Sequence, residues 1–390
     1  MAFHQVEIIK LTTRFTFASS AMRPATSDHY PQLDGLRAIA VVLVFLHHWS
    51  LPQFGLGIIG VQLFFVLSGF LITRILLDLR DNRNNELLQR VGFSLRQFYA
   101  RRFLRIFPLF YFCLLLFVIL DRFEIRETAL WHFFYLSNVR FFLLGTFEVP
   151  FSHFWTLAVE EQFYLIWPLV VLLTPARHLP RILILLILFG PLTRGLIWLT
   201  FDQDFASTST LLPANLDTLG MGALGACWMN RAASAPSPAI VRKFFITVIA
   251  LAALEIFFTR FLALSGLLVT VLDSTAVAIV SLGLVLTGIK GFPPHVGHFL
   301  LNPLIQYLGR ISYGLYVWHM FAPALLRNAL KLSGLPEEWN HGIVGFLLLF
   351  LGTVVMASLS WFLLERPLNR LKRHFPYHRP SDKATPSVVA

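Results

Sequence analysis

Basic side chains at the two ends of one apolar stretch have the types and spacing for chemistry inside a membrane. The stretch LDGLRAIAVVLVFLHHW (residues 33–49) has Arg37 near its start and His47 and His48 at its end. At about 100° per residue, the eleven steps from Arg37 to His48 return to within roughly 20° of one helix face, about 16 Å further along the axis. The side chain of His47 points about 100° away from that of His48 around the helix axis. Because ionisable groups at membrane depth usually face a cavity, Arg37 and His48 are predicted to line one cavity, with Arg37 at the membrane surface and His48 near mid-membrane. Alternatively, both residues only hold neighbouring helices together.

A second stretch, HFWTLAVEEQFYLIW (residues 153–167), carries two adjacent glutamates inside an apolar run. Carboxylates at membrane depth are costly unless they are paired or face water. Helical periodicity predicts Glu160 as the inward carboxylate and places Glu161 about 100° away, beside two leucines, with Glu161 as the close second candidate. The alternative is a structural carboxylate that holds a neighbouring arginine. The predicted stripe of Glu160 also contains His153, Thr156, Tyr164 and Trp167.

Three arginines in FYARRFLRIFP form a candidate anion site. Arg102 and Arg105 are three residues apart, so they are neighbours on one helix face, and Arg101 precedes them. Guanidinium groups clustered at a membrane surface suit the phosphate groups of a lipid or of a soluble cofactor. An ordinary cationic anchor would show the same spacing.

Other polar residues also lie in apolar stretches. In GRISYGLYVWHM, Tyr316 and His319 share a predicted helix face with Ser312. His319 is either a functional group or a hydrogen-bonded packing residue. In GVQLFFVLSGFLIT, the small residues Ser68 and Gly69 favour close packing of helices.

Arg194 and Asp217 belong to consecutive antiparallel predicted spans and lie at similar depth. Since unpaired charges at that depth are disfavoured, a structural ion pair is predicted. The sequence contains no HExxH, paired-cysteine, Walker or GxSxG motif, and Cys113 and Cys227 lie in apolar segments. A disulfide framework, metal-dependent hydrolysis and nucleotide hydrolysis are therefore not favoured, and no bound metal is expected.

The elements that position these residues are predicted to be membrane helices. Of the 390 residues, 56% are hydrophobic and only 14% are charged, against about 25% charged in soluble domains. Hydropathy predicts an all-α polytopic membrane protein with about ten transmembrane helices. Residues 131–145 form a short apolar piece that suits a re-entrant or interfacial segment better than a crossing. The ten predicted spans are 35–50, 58–79, 103–120, 154–174, 181–200, 211–229, 243–260, 264–289, 304–328 and 341–364.

The distribution of Lys and Arg predicts the orientation. The net charge of +11 does not form one patch, so no nucleic-acid partner is expected. Placing both termini in the cytoplasm puts most of the 32 Lys and Arg residues on the cytoplasmic side. Three units are predicted: a poorly ordered cytoplasmic tail at 1–32, one membrane domain at 33–367, and a basic cytoplasmic tail at 368–390.

Taken together, these segments resemble the acyltransferase-3 family of integral membrane acyltransferases. The resemblance covers about residues 32–367, and its motifs occur in family order. Gln62 departs from the pattern, because relatives often carry an aspartate there. The matching motifs are LDGLRAIAVVLVFLHH with R-x10-H at Arg37 and His48, GVQLFFVLSGFLIT, R-x-x-R at Arg102 and Arg105, HFWTLAVEEQFYLIWP, NLDTLGMGALGA, ISYGLYVWHMF and FLLERP.

The resemblance implies transfer of an acyl group, commonly acetyl from acetyl-CoA, to a hydroxyl of a glycan, glycolipid or small molecule. The expected location is the bacterial inner membrane, with acyl-CoA as co-substrate and no tightly bound cofactor. His48 is then the essential histidine, Arg37 its partner, and Arg102 and Arg105 the arginines linked with the donor. Because the sequence ends soon after its last predicted span, a stand-alone form without an appended soluble hydrolase-like domain is expected.

Histidine suits this reaction, because an imidazole accepts the proton of an attacking hydroxyl near neutral pH. His48 could instead carry the acyl group as a transient nucleophile, and the sequence does not choose between the two. Glu160 and Glu161 complete the candidate catalytic set, and Arg101 completes the donor set. The candidate substrate cavity comprises Ser68, Trp155, Tyr164, Tyr316 and His319.

Two other classes of function remain open at this point. Ten spans with buried charges also suit a transporter or flippase of a lipid-linked or small polar substrate, although no internal repeat typical of transporters is evident. A non-catalytic lipid-binding partner would use Arg102 and Arg105 to hold lipid phosphates. Dependence on acyl-CoA separates the enzyme from both alternatives.

Overall fold

The computed structural model describes residues 29–80, 87–120, 122–201, 204–230, 266–334 and 342–377, with short pieces between 237 and 250. Within these ranges the chain is helical and contains no β-strand, as the composition predicts. The seventh predicted span, 243–260, lies almost wholly outside the described residues, as do most of the predicted N-terminal tail and residues 378–390.

The helices are α1 (Pro31–Trp49), α2 (Leu56–Arg80), α3 (Leu87–Ile119), α4 (Ile125–Phe133), α5 (Ser137–Leu144), α6 (Phe154–Leu173), α7 (Leu179–Thr200), α8 (Phe205–Ser209), α9 (Leu216–Asn230), α10 (Gly266–Lys290), α11 (Pro294–Leu300), α12 (Pro303–Arg310), α13 (Ser312–Trp318), α14 (Ala322–Ser333), α15 (Gly342–Ser360) and α16 (Arg366–Arg370).

Six of the described helices are long and apolar enough to cross a membrane. They are α2, α3 from Val91 onward, α6, α7, α10, and the helical run that begins with α15 and continues to His374. Four of the ten predicted spans are not among them. Span 35–50 corresponds to α1, which carries a charged pair and two histidines, and span 211–229 to α9, which has only 15 residues. Span 243–260 lies almost wholly outside the described residues, and span 304–328 is broken into short helices. The chain is therefore an all-helical membrane protein, and the count of about ten spans stays a prediction.

Residues 131–145 form parts of two short helices, α4 and α5, of 9 and 8 residues. At 1.5 Å per residue each is about 13 Å long, which is too short to cross a hydrocarbon core of about 30 Å. The pair is tied to α6 by Gln162, whose side-chain amide donates to the Tyr135 carbonyl over 2.9 Å and exchanges hydrogen bonds with Asn138. This geometry fits the predicted re-entrant or interfacial segment.

The continuous ninth span predicted at 304–328 is wrong, because the chain is broken there into α12, α13 and α14. Gly309, at the end of α12, lies against the backbone of α1: an added Cβ would lie 2.0 Å from the Asp34 carbonyl oxygen. The second break, at 319–321, precedes Pro323, whose ring fixes φ and lacks an N–H, so a helix is readily restarted there. These breaks place Tyr316 and His319 on and just after a short helix.

Two glycine contacts bring the backbones of α2 and α9 together. A Cβ on Gly69 would lie 2.0 Å from the Leu219 carbonyl oxygen, and one on Gly222 would lie 2.1 Å from the Val66 carbonyl oxygen. Such approach is characteristic of helix pairs in membranes, where packing replaces the hydrophobic driving force. The predicted packing role of Gly69 is therefore confirmed.

The predicted ion pair between Arg194 and Asp217 is also confirmed. Two hydrogen bonds of 2.8 and 3.1 Å join the guanidinium to the carboxylate, and both side chains are almost fully buried. Arg194 donates further to Thr275 and to three backbone carbonyls. This network satisfies the buried charges and ties α7, α9 and α10 together.

Replacing Gly69 by alanine is expected to lower the stability of the protein by about 1–3 kcal/mol, because the methyl group would overpack the contact between α2 and α9. The matched control is Gly92→Ala in α3, where an added Cβ has no neighbour within 4 Å and helix propensity favours alanine. Thermal unfolding of both variants in lipid nanodiscs measures the difference. Equal unfolding midpoints for the two variants would contradict the packing account.

Candidate active site

Two cavities meet inside the helical bundle. The first is lined by residues of α1, α2, α3, α6 and α13, and the second by residues of α1, α2, α6, α8, α10 and α13 and of the loops beside them. Val61 of α2 and Tyr316 of α13 line both cavities and so form the wall between them. We call the first the basic cavity, because Arg37, Arg102 and Arg105 line it, and the second the histidine cavity, because His47, His48 and His153 line it.

The cationic groups of the basic cavity have different partners. Arg37 donates to Asp34 over 2.8 Å, so its charge is matched. Arg102 stacks over the rings of Phe98 and Tyr164, with its guanidinium carbon 5.7 and 5.4 Å from their centroids. Within the described part of the chain, no carboxylate lies within salt-bridge distance of Arg102 or Arg105. Their charges are available to an anionic ligand.

Glu160 and Glu161 both line the basic cavity. Glu160, the predicted inward carboxylate, and Glu161, the close second candidate, therefore both face this cavity. Both carboxylates interact electrostatically with Arg102. Both glutamates thus lie across the wall from His48.

Ser68 and Tyr164 also line the basic cavity, where their hydroxyls are hydrogen-bonded to each other. This contact joins α2 to α6 and fixes one side of the cavity. Glu160 lies beside both hydroxyls. The cavity is therefore lined by hydroxyl and carboxylate groups as well as by guanidinium groups.

His48 presents one free nitrogen to the histidine cavity. Its Nδ1 lies 3.0 Å from the Val44 carbonyl oxygen, which can only accept, so Nδ1 carries the proton and Nε2 keeps its lone pair. His47 lines the same cavity, so helix phase alone did not separate the two histidines. The expectation that Arg37 and His48 share one cavity is also wrong: the wall of Val61 and Tyr316 lies between them.

His319 lines neither cavity, which corrects its predicted place in the substrate cavity. It is fully buried behind His48, with their ring centroids 5.1 Å apart, and its Nδ1 donates to the Tyr316 carbonyl over 2.6 Å. His153, which was predicted only as part of a stripe, lines the histidine cavity together with Trp155. The adjacency of His153 to α13 is a long-range contact that no local pattern reveals.

The wall is held by a chain of hydrogen bonds. The Thr156 hydroxyl donates to the His153 carbonyl over 2.9 Å and accepts from the Tyr316 hydroxyl over 2.8 Å. The ring of Tyr316 packs edge-on against Phe64, with centroids 5.9 Å apart. Tyr316 is thus fixed between α6 and α2, with its hydroxyl at the boundary of the two cavities.

Arg101 lines neither cavity, in contrast to its predicted contact with the donor. Its guanidinium donates to the carbonyls of Lys372 and Phe375, over 3.0 and 3.1 Å, and lies 4.4 Å from the ring centroid of Tyr377. The side chain is therefore occupied in holding the C-terminal segment against α3.

Comparison with known proteins identifies the family. A family profile described as an acyltransferase domain matches residues 30–364. The chain belongs to the acyltransferase-3 family. Its relatives include the peptidoglycan O-acetyltransferase OatA of Listeria monocytogenes, 31% identical over 93% of this chain and 58% of the relative. The putative peptidoglycan O-acetyltransferase YrhL of Bacillus subtilis is 29% identical over 93% of this chain and 59% of its own length.

The O-acetyltransferase OatA of Staphylococcus aureus is 28% identical over 88% of this chain and 57% of the relative. This member of the acyltransferase-3 family thus spans less than three-fifths of the length of these relatives. No solved structure matches the chain. The relatives lend no support to the transporter alternative.

Whether Tyr316 separates the two cavities of this acyltransferase-3 protein can be tested without any substrate. The substitution Ser152→Cys places a thiol at the histidine cavity. This thiol is to be labelled with a hydrophilic reagent added on the side of Arg102 and Arg105. Replacing Tyr316 by alanine is expected to raise the labelling rate several-fold, because the two cavities merge. Tyr316→Phe keeps the ring and is expected to label nearly as slowly as the parent. Equal rates in all three proteins would show that Tyr316 does not separate the cavities.

Proposed function

We propose that this protein is a membrane O-acyltransferase that takes an acyl group from acyl-CoA in the basic cavity and delivers it to a hydroxyl at the histidine cavity. The observation that carries the proposal is the meeting of these two cavities at one wall, in a chain of the acyltransferase-3 family. Because the relatives are named as O-acetyltransferases, acetyl is the proposed acyl group and a glycan the proposed acceptor.

In the proposed donor site, Arg102 and Arg105 bind the phosphates of acyl-CoA at the basic end. Forked guanidinium groups suit this role, and among the described residues neither of these two arginines forms a salt bridge. Glu160 and Glu161 lie deeper and would accept hydrogen bonds from the amide N–H groups of the pantetheine arm. The thioester would then lie near Val61 and Tyr316, the two residues that line both cavities.

The proposed reaction requires a base on the acceptor side. The acceptor oxygen attacks the thioester carbonyl carbon while Nε2 of His48 takes the hydroxyl proton. A C–O bond forms, the C–S bond breaks, and the proton passes to the leaving CoA thiolate. In the alternative route, Nε2 of His48 attacks first and holds the acyl group before the hydroxyl does. Either route needs the thioester to pass the wall, so opening at Tyr316 is part of the proposal.

The proposed topology follows from charge. The basic end faces the cytoplasm, where acyl-CoA is made, and both termini lie on that side. About ten spans then cross the bacterial inner membrane, and the histidine cavity serves an acceptor toward the opposite side.

Transfer of radiolabelled acetyl from acetyl-CoA to peptidoglycan fragments, by the full chain in nanodiscs, tests the proposal. His48→Gln is expected to reduce the rate by about 10²–10⁴-fold, because glutamine cannot act as a base. His47→Gln is expected to reduce it much less, since its ring is not oriented like that of His48. Thermal unfolding checks that both variants are folded. Full transfer by folded His48→Gln would contradict the assignment of His48.

A further inference from the structure

The two cavities differ in charge. Five charged side chains line the basic cavity: Arg37, Arg102, Arg105, Glu160 and Glu161. Among the described residues that line the histidine cavity there is no aspartate, glutamate, lysine or arginine. Its polar side chains carry hydroxyl, carboxamide, imidazole and indole groups. A charged ligand group would lose its hydration there without gaining a counter-charge, so the histidine cavity suits an uncharged ligand.

Asn215 has a buried carboxamide of which only one half is used. The residue is 2% exposed, and its Nδ2 donates to the carbonyls of Ser209 and Leu211 over 2.7 and 2.9 Å. These two bonds occupy both amide hydrogens and fix the orientation of the group. Oδ1 has no partner in the described part of the chain, and it is not among the fully enclosed atoms that lack one. Because Asn215 lines the histidine cavity, Oδ1 is an acceptor that faces this cavity.

Gln62 of α2 has a second carboxamide of this kind. The residue is 4% exposed, and its Oε1 accepts from the Thr218 hydroxyl over 2.5 Å. No described residue accepts from Nε2, which is also absent from the enclosed unpartnered atoms, so Nε2 is a donor facing the same cavity. Buried carboxamides are normally fully hydrogen-bonded. Two half-satisfied ones at one cavity therefore indicate a ligand with hydroxyl groups, which both donate and accept.

Three aromatic rings also line this cavity. The ring of Trp155 packs edge-on against Phe205, with centroids 6.5 Å apart, and the ring of Phe147 lies 6.2 Å from that of Phe205. A sugar ring has apolar C–H groups on its faces and hydroxyl groups around its edge. Aromatic rings suit the faces and carboxamides suit the edge, so this lining matches a sugar.

We propose that Trp155, Gln62 and Asn215 form a subsite for an uncharged sugar ring of the acceptor. Trp155 packs against the ring, Gln62 donates to one hydroxyl, and Asn215 accepts from another. The inference rests on the proposed function, which places the acceptor at this cavity beside His48. It adds the class of acceptor, a pyranose without ionised groups at the site, and the residues that select it.

Sugar binding to the full chain in nanodiscs is to be measured by saturation-transfer NMR at about pH 8, where an ordinary imidazole is neutral. The probes are the methyl glycosides of glucose, galactose, mannose and N-acetylglucosamine, together with the uronic acid counterpart of each. Ribitol is the polyol without a ring. At least one neutral glycoside is expected to bind about tenfold more tightly than its uronic acid counterpart, because a carboxylate would be desolvated without a counter-charge. It is also expected to bind more tightly than ribitol.

Gln62→Met removes the amide and is expected to weaken binding of the preferred glycoside about three- to tenfold, the effect of losing one hydrogen bond. Deoxy analogues that each lack one hydroxyl identify its partner. One of them is expected to bind equally to Gln62→Met and to the parent, because the bond is already missing. Trp155→Leu is expected to weaken all the neutral glycosides. The matched control is Gln53→Met, at an exposed residue between α1 and α2.

Thermal unfolding shows whether each variant is folded, and the comparisons among probes on the unaltered protein need no variant. Equal binding of neutral glycosides and uronic acids would overturn the inference, as would equal binding of ribitol or no binding of any neutral glycoside. Unchanged affinity in folded Gln62→Met would also overturn it. Acetyl transfer is measured on the same samples. A protein that binds a neutral glycoside through Gln62 but transfers no acetyl group would contradict the proposed function and leave this inference intact.

Discussion

The hydrogen bond between Tyr316 and Thr156 holds in place the one aromatic side chain that, among the residues lining the two cavities, lines both of them. The ring of Tyr316 lies where the two cavities adjoin, and its hydroxyl is hydrogen-bonded to Thr156. Because the basic cavity and the histidine cavity share this boundary, the wall determines where the two reactants of the proposed transfer can meet.

The rest of the bundle holds the two sides of the wall in place. The helix α1 runs past both cavities, with Arg37 at one and His48 about 16 Å further along at the other. The wall residue Val61 lies on α2, which is fixed against α9 by backbone contacts at Gly69 and Gly222. The buried pair of Arg194 and Asp217 then fixes α9 to α7 and α10. A second hydrogen bond, from Tyr313 to the Ile106 carbonyl over 2.7 Å, holds α13 against α3.

The sequence alone was sufficient to predict features that depend on a single helix or on the cost of an unpaired charge in a membrane. Periodicity gave the placement of Arg37 and His48 along α1, and the cost of unpaired charge gave the Arg194–Asp217 pair. Small residues indicated the contact at Gly69. The motifs, taken in order, indicated the family.

Features that depend on which helices meet could not be predicted from local patterns. Helix phase describes a face, but it does not tell which side chain from another helix closes the space in front of it. Tyr316 is 255 residues beyond Val61 in the chain (316 minus 61), so the divided cavity was missed. Arg101 and Lys372 are likewise distant, and their contact places Arg101 at the C-terminal segment instead of the predicted donor site. The break before Pro323 was missed because the apolar run continues through it.

The most direct test of the account is a structure of the protein with a hydrolysis-resistant acyl-CoA analogue in a lipid nanodisc. The account predicts density for the analogue in the basic cavity, with its phosphates at Arg102 and Arg105 and its acyl end at the wall of Val61 and Tyr316. An analogue bound outside the basic cavity, or one whose acyl end points away from the wall, would contradict it.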